Sequence, residues 1–408
     1  MVRILPETVQ KLISFAEASI KRCYTFTVGF STCDLIDALN DYFSGITSRL
    51  GAILLQVRIE TDLDETTVSA SMTGEDGIYD RRSSAGEDDY EIGRDELGRQ
   101  EWNHFQMGLR ILNASLMLIK KVDSFQDSIA TMLKETLPYV DVDTSVASSD
   151  PKGTCSASLL SLKLSSLNSM KLSRLCHEIA LGPSSPTLPS SPNHPDLPKE
   201  KVLLKSGAES LQSFSIKAQK YIYDSMFAAM NRKLKILPYM EVWSSSRESD
   251  SPFDIALPQF SLSPLDYATR IGEHLLSLPQ QLDLYIDDES LAYSIKTLPF
   301  METFQIPETS EDLDITHLWL TSVCRGIMDS FVVNALEIPE MSPHGSLQLL
   351  TDMQYLVNVF SAMEIDPLEP FSLLMDSLKL SKTQIQEQLQ TVKEEWIKEI
   401  LKKLESKK

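Results

Sequence analysis

Apolar residues repeat with the period of an α-helix through most of this chain, and this pattern limits its possible folds. The clearest stripe consists of Trp102, Phe105, Leu109, Leu112, Leu116 and Ile119, at spacings of three and four residues. Such spacing places the apolar side chains on one helix face, which must be buried against another element. Alternating runs typical of strands are nearly absent, and Thr66 to Ser71 is a weak candidate. The sequence therefore predicts an all-α fold.

Three further stripes extend this pattern along the chain. An amphipathic helix buries only one face by itself, so several such helices must cover one another. Prolines from Pro238 onward mark the expected helix boundaries. We expect elongated, stacked helical bundles. The three stripes are Leu35, Leu39, Tyr42, Ile46, Ile53 and Val57; Leu211, Phe214, Ala218 and Tyr221; and Leu349, Met353, Leu356, Phe360 and Met363.

Two segments interrupt the helical pattern and predict long disordered loops. Residues 62–101 hold 13 acidic and 4 basic residues, a net charge of −9, together with five glycines. Residues 141–200 are rich in serine and carry six prolines at every third position from Pro183 to Pro198. Such an array forms one edge of a polyproline II helix, which suits either a ligand for an aromatic-lined groove or a stiff linker. The linker is the favoured interpretation.

These interruptions divide the chain into six regions. Within the Ser/Pro-rich part, Leu160, Leu164, Leu167, Met170 and Leu175 are spaced for a short helix. The regions are N-terminal helices at 1–61, an acidic disordered loop at 62–101, a long amphipathic helix at 102–140, a Ser/Pro-rich linker at 141–200, a C-terminal helical-bundle region at 201–386 and an amphipathic tail helix at 387–408.

The charge of the chain narrows the classes of partner. The formal net charge is −20, of which −9 lies in residues 62–101 alone. Phosphate contacts are made mostly by lysine and arginine, so this balance argues against nucleic-acid binding. It also argues against broad contact with anionic lipid. The remaining 34 basic and 45 acidic residues make the rest of the chain only mildly acidic.

No motif for catalysis, a cofactor or a metal emerges. The five cysteines contain no CxxC, and the six histidines are dispersed without an HExxH pattern. Residues 93–100 have the glycine spacing of a phosphate-binding loop but lack its Lys and Ser/Thr. We therefore predict no enzyme activity, no cofactor and no catalytic or metal-binding residue. A metal-dependent hydrolase with carboxylate ligands stays open as a minor alternative.

The tail carries the candidate contact residues. The apolar side chains Trp396, Ile397, Ile400, Leu401 and Leu404 fall on one helix face, with lysines that include Lys402 and Lys403 around it. A basic amphipathic helix can lie on a membrane surface. It can equally dock on the body of the protein or on a partner, and the glutamates among the lysines favour docking. The candidate membrane or partner contacts are Trp396, Ile397, Ile400, Leu401, Lys402 and Lys403.

The C-terminal half carries turn and packing motifs in an order similar to that of a known family. They run from Leu257 through Tyr267 to Pro279, continue at Leu298-Pro299-Phe300, and are strongest from Ile338 to His344 and from Leu349 to Pro367. The helix with Trp102 and Phe105 is also similar. In these segments the chain resembles the subunit 7 family of the conserved oligomeric Golgi complex. The tail from about Glu387 onward does not clearly follow the family.

The resemblance implies a non-catalytic subunit of a vesicle-tethering complex. Such a subunit supports retrograde transport within the Golgi and so helps to retain glycosylation enzymes. The implied partners are other subunits of the complex, especially 5, 6 and 8, and the vesicle-fusion machinery, with peripheral contact to the cytosolic face of the Golgi membrane. Family members are longer, so the chain corresponds to the C-terminal half. The alternative is a helical adaptor outside the Golgi that uses its proline array as a ligand.

Overall fold

The structure is a computed structural model that describes residues 4–60, 87–140, 166–180, 203–244, 263–301 and 314–407. In these residues all regular structure is helical, which confirms the all-α prediction. The α-helices in chain order are α1 Leu5–Thr27, α2 Thr32–Glu60, α3 Glu87–Val140, α4 Ser166–Ala180, α5 Lys205–Ile236, α6 Asp266–Leu282, α7 Glu289–Ser294, α8 Ile315–Ala335, α9 Pro343–Ala362, α10 Glu369–Leu378, α11 Lys382–Thr391 and α12 Glu395–Lys407.

The acidic segment is partly helical, which corrects the predicted loop. Helix α3 begins at Glu87, so residues 87–101 belong to a helix. Once packing fixes the downstream turns, each further residue adds a hydrogen bond at little cost, and a single glycine costs only about 1 kcal/mol. Composition alone therefore overstated the loop. Residues 62–86, the Thr66 to Ser71 segment and the proline array lie outside the described residues.

The Ser/Pro-rich segment also contains a helix. Helix α4, Ser166–Ala180, includes three of the five apolar positions that predicted a short helix there. Leu172 and Cys176 are buried, while Met170 is 71% exposed. The buried face of α4 therefore lies one to two residues away from the face that the leucine spacing indicated. Leu160 and Leu164 lie outside the described residues.

The chain forms two compact units, each made of two separate segments. The first consists of Met1–Asp62 with Met107–Ala218, and the second of Leu63–Gln106 with Gln219–Lys408. Helices α3 and α5 contribute residues to both units. Each unit thus combines segments far apart in sequence. The apolar face of a long helix is buried by the elements that pack on it, and these need not be its neighbours in sequence.

In the first unit, α1 and α2 form a helical hairpin against α3. The turn has left-handed backbone at Val28 (φ 50°) and Gly29 (φ 83°). A Cβ on Gly29 would lie 2.0 Å from Thr136 Oγ1, so only glycine permits this close approach. The Thr136 hydroxyl is shared between the Met132 carbonyl at 2.7 Å and the Val28 carbonyl at 3.2 Å. The turn between the first two helices is therefore fixed by α3.

The buried residues of α2 are offset from the predicted stripe. Leu39, Ile46 and Val57 are buried as expected. Phe43 is fully buried with its ring centroid 6.1 Å from that of Phe125 in α3. Tyr42 is half-buried and donates its hydroxyl to the Leu12 carbonyl at 3.1 Å. The face turned to the core is thus wider than the stripe.

In the second unit, α8 forms the centre of the core. Trp319, Val323, Cys324, Ile327, Met328 and Phe331 are all fully buried. Helix α5 runs parallel to α8. Tyr223 is hydrogen-bonded to Ser322 and, eight residues further along both helices, Asn231 is hydrogen-bonded to Ser330. A Cβ on Gly326 would lie 2.3 Å from the Tyr223 hydroxyl, so this glycine permits the close contact. Helices α6 and α10 pack on other sides of α8, and α9 packs on α6 and α10.

Candidate functional site

The C-terminal helix α12 is docked on the second unit rather than free. Ile400, Leu401 and Leu404 are buried against neighbouring helices, with Leu401 fully inaccessible. The contact partners of α12 are α10 and α11. Ile400 and Leu401 therefore serve the fold and cannot touch a membrane or partner while α12 is docked. That Ile400 and Leu401 contact a membrane or a partner stays a prediction.

Trp396, Ile397, Lys402 and Lys403 are the candidate contacts that the structure leaves at least partly accessible. Trp396 is 38% exposed, Ile397 is half-buried and the two lysines are exposed. Lys403 pairs with Glu399 at 3.0 Å and Lys398 with Glu395 at 3.8 Å. Such exposed pairs contribute little stability and offset the positive charge of this face. The accessible part of α12 is one indole beside mixed charges.

Backbone contacts hold the end of α12 in place. The Lys407 carbonyl accepts from the Met341 N–H at 3.1 Å, and Lys407 Nζ donates to the Ile338 carbonyl. Burial lowers the pKa of Lys407, as does the charge of Lys403. Gln386 Nε2 donates to Glu405 Oε1 at 2.6 Å, which ties α11 to α12. The tail helix is thereby fixed to the 338–342 turn.

That turn carries the strongest part of the family resemblance, and it is a packing junction. The Ser342 N–H donates to the Trp243 carbonyl at 2.8 Å, and the Ser342 hydroxyl accepts from Gly345 N–H as the N-cap of α9. A Cβ on Gly345 would lie 2.3 Å from the Trp243 carbonyl oxygen. Trp243 is 1% exposed and donates its indole N–H to Leu237 at 2.6 Å. These residues position helices and leave no open site.

A groove on the second unit is a candidate binding surface that the sequence did not reveal. Its volume is about 410 Å³. One wall is Pro264, just before α6, and the floor and opposite wall come from α9. Lys379, at the end of α10, also lines the groove and pairs with Asp376 at 2.8 Å. The lining residues are Pro264, Leu350, Thr351, Gln354, Tyr355, Asn358 and Lys379.

The groove can bind but holds no catalytic arrangement. Its titratable residues are Tyr355 and Lys379, and burial together with the charge of Glu273 raises the pKa of Tyr355. Amide and hydroxyl groups of Gln354, Asn358 and Thr351 can each donate and accept hydrogen bonds. Sequence reasoning missed it because the two walls lie about 90 residues apart in the chain.

The floor of the groove lies next to a buried carboxylate. Asp352 is fully buried and accepts from the Leu265 N–H at 2.9 Å, the Tyr267 hydroxyl at 2.8 Å and Gln348 Nε2 at 3.0 Å. Burial raises the pKa of Asp352, and the three hydrogen bonds oppose that shift. The same burial, together with the charge of Asp352, raises the pKa of Tyr267.

The described residues contain no cluster of three or more His, Cys, Asp or Glu that could hold a metal ion.

His274 is half-buried beside Lys233, and its pKa is lowered to about 4 by burial and then by that positive charge. Cys324 is buried, which raises its thiol pKa well above the usual range. Within the described ranges, no helix is both long enough and apolar enough to span a membrane.

Comparison with known proteins decides the family. The model of the family described as Golgi complex component 7 (COG7) matches residues 1–405. The chain belongs to this family. The match includes α11 and most of α12, which corrects the expectation that the tail departs from the family from about Glu387.

Relatives from distant organisms show the same likeness to the Golgi complex component 7 family. The chain is 27% identical to the conserved oligomeric Golgi complex subunit 7 of Homo sapiens over 397 residues, which is 93% of this chain and 46% of the relative. It is 26% identical to that of Bos taurus, covering 90% and 44%, and 25% identical to that of Arabidopsis thaliana, covering 90% and 42%. The chain thus spans less than half the length of these relatives. No solved structure matches it.

Proposed function

We propose that this chain acts as a non-catalytic subunit of the conserved oligomeric Golgi complex. In that role it supports the capture of retrograde vesicles within the Golgi, and so the retention of glycosylation enzymes. The observation that carries the proposal is the family match over residues 1–405 of an all-helical chain. Relatives that the chain resembles are named as subunits of this complex.

The proposed partners are other subunits of the complex, above all subunits 5, 6 and 8, and the vesicle-fusion machinery. Binding energy at such interfaces comes from a few large anchors within a wider contact surface. The groove beside Asp352 and the accessible face with Trp396 are the surfaces that support this role. We propose peripheral association with the cytosolic face of the Golgi membrane, made through these partners.

Localisation and glycosylation together test the proposed role. A tagged chain should co-localise with a Golgi marker and should be released from membranes by alkaline carbonate, as a peripheral protein is. Depletion should alter lectin staining of surface glycans, and re-expression of the chain should restore it. A diffuse distribution with unchanged lectin staining would instead favour a helical adaptor outside the Golgi.

A further inference from the structure

The start of helix α6 is held by a side chain that belongs to another helix. Leu265 is the N-cap residue of α6 and, being apolar, provides no capping bond of its own. The first N–H groups of a helix lack partners within the helix. Asp352, in the middle of α9, accepts from the Leu265 N–H at 2.9 Å. The carboxylate thereby satisfies the N-cap N–H, as the Glu or Gln of a capping box does from within a helix.

Further hydrogen bonds fix the position of α6 along α9. The second carboxylate oxygen of Asp352 accepts from the Tyr267 hydroxyl at 2.8 Å. Gln348, one turn earlier in α9, donates both to Asp352 at 3.0 Å and to the Ser263 carbonyl at 2.9 Å. Residues 263, 265 and 267 are thus each held by α9. A shift of α6 along α9 would leave several buried polar groups without partners.

The packing of α6 on α9 around this network is also close. Away from this network the contact of α6 with α9 includes Gly272, whose missing side chain lets the ring of Tyr355 approach. Hydrophobic burial itself is non-directional, so hydrogen bonds specify the position of α6 more narrowly than burial does. All three groups that donate to Asp352 are neutral, so its negative charge is held by hydrogen bonds. Buried polar groups of this kind can specify one arrangement among several of similar stability.

We propose that Asp352 is a positioning residue that locks the register of α6 on α9 and thereby sets the shape of the adjoining groove. Pro264, on one wall of the groove, directly precedes the locked Leu265. Thr351 and Tyr355, on the opposite side, flank Asp352 in α9. The lock therefore lies between the two walls. Its loss loosens the start of α6 while the core around α8 stays folded.

Amide hydrogen exchange on the full chain tests the proposal. Asp352→Leu removes every acceptor while keeping a side chain that branches at Cγ, although a larger one. We expect exchange in residues 264–275 to accelerate at least about tenfold while residues 318–335 keep their rates. Asp352→Asn keeps an acceptor for Leu265 and Gln348 and can donate to Tyr267, so it should hold exchange within about threefold of the original protein. Asp366→Asn, at an exposed aspartate, is the matched control.

Three results would overturn the register lock. Exchange in residues 264–275 could stay unchanged in Asp352→Leu, or it could rise equally in every helix of the second unit, which would mark a general stabilising role. Asp352→Asn could also behave like Asp352→Leu. If Asp352→Leu fails to fold, Gln348→Ala replaces it, with faster exchange expected only in residues 264–269. Unchanged exchange in Gln348→Ala would then contradict the proposal.

Discussion

At the scale of single residues, the second unit depends on positions where no larger side chain fits. Gly345 lies against the backbone of Trp243, and backbone atoms cannot move aside as a flexible side chain can. Gly326 lies against the Tyr223 hydroxyl, which leaves no space for the methyl group of an alanine. A sequence shows such glycines but not what approaches them. Their role therefore became visible only with the fold.

Substitution of Gly345 tests this packing. We expect Gly345→Ala to reduce the free energy of unfolding by about 1–3 kcal/mol, because the new methyl overlaps the Trp243 carbonyl. Gly45→Ala, in helix α2, is the matched control: nothing lies within 4 Å of its added Cβ. It should be neutral or stabilising by about 0.5–1 kcal/mol. Urea denaturation followed by circular dichroism measures both, and equal effects would contradict the account.

The histidine of α6 gives stability a dependence on pH. Burial and the charge of Lys233 lower the pKa of His274 to about 4, so the folded protein binds this proton less readily than the unfolded chain, whose histidine has a pKa near 6.5. The stabilisation is present above about pH 6.5 and is lost as pH falls towards 4. It amounts to at most about 3 kcal/mol, at about 1.4 kcal/mol per pKa unit.

Replacement of His274 by glutamine isolates this contribution. Unfolding free energies of the original chain and of His274→Gln, measured between pH 7.5 and pH 4.5, should diverge in slope. The variant should lose less stability over this interval. Identical slopes would mean that His274 is as easily protonated in the folded protein as in the unfolded chain.

At the scale of helices, periodicity predicted which segments are helical better than it predicted which face is buried. The Leu211 and Leu349 stripes lie in the core almost throughout. Helix α3 is buried on more than one face, since Ile111, Ala114 and Leu118 are as inaccessible as the buried members of the Trp102 stripe. The second buried face could not be predicted because it depends on which helices pack there.

The tail helix shows the same limit. The amphipathic pattern correctly marks Ile400, Leu401 and Leu404 as one apolar face, but the pattern is the same for docking on the body and for contact with a membrane. The buried position of Leu401 assigns that face to the fold. The groove beside Asp352 had no signal at all in the sequence, since its walls meet only after α6 docks on α9.

Two substitutions in α12 separate its structural role from a contact role. Leu401→Ala should destabilise the second unit by about 2–5 kcal/mol, because it leaves a cavity at a fully buried position. Trp396→Ala, at a partly exposed position, should cost much less stability but should weaken Golgi association if its indole is an anchor. Thermal unfolding and quantitative imaging measure the two effects. Unchanged Golgi association in Trp396→Ala would leave α12 a structural helix only.

At the scale of the whole chain, the two units share helices α3 and α5, so each helix has to satisfy two sets of neighbours. The six regions predicted from composition follow charge and proline content, whereas the units follow packing between distant segments. Family membership was predictable because it depends on the order of many short motifs along the chain. The family match from residue 1 to residue 405 covers both units.

Co-purification from cells is the most direct test of the central claim that this chain is a subunit of the Golgi tethering complex. The tagged chain is expressed at native level and recovered under gentle conditions, and bound proteins are quantified by mass spectrometry. We expect recovery of other subunits of the complex, with subunits 5, 6 and 8 most abundant. The Trp396→Ala variant should recover the same subunits only if surfaces other than the indole carry the contact. Recovery of no other subunit, while a full-length relative in the same cells retains them, would contradict the claim.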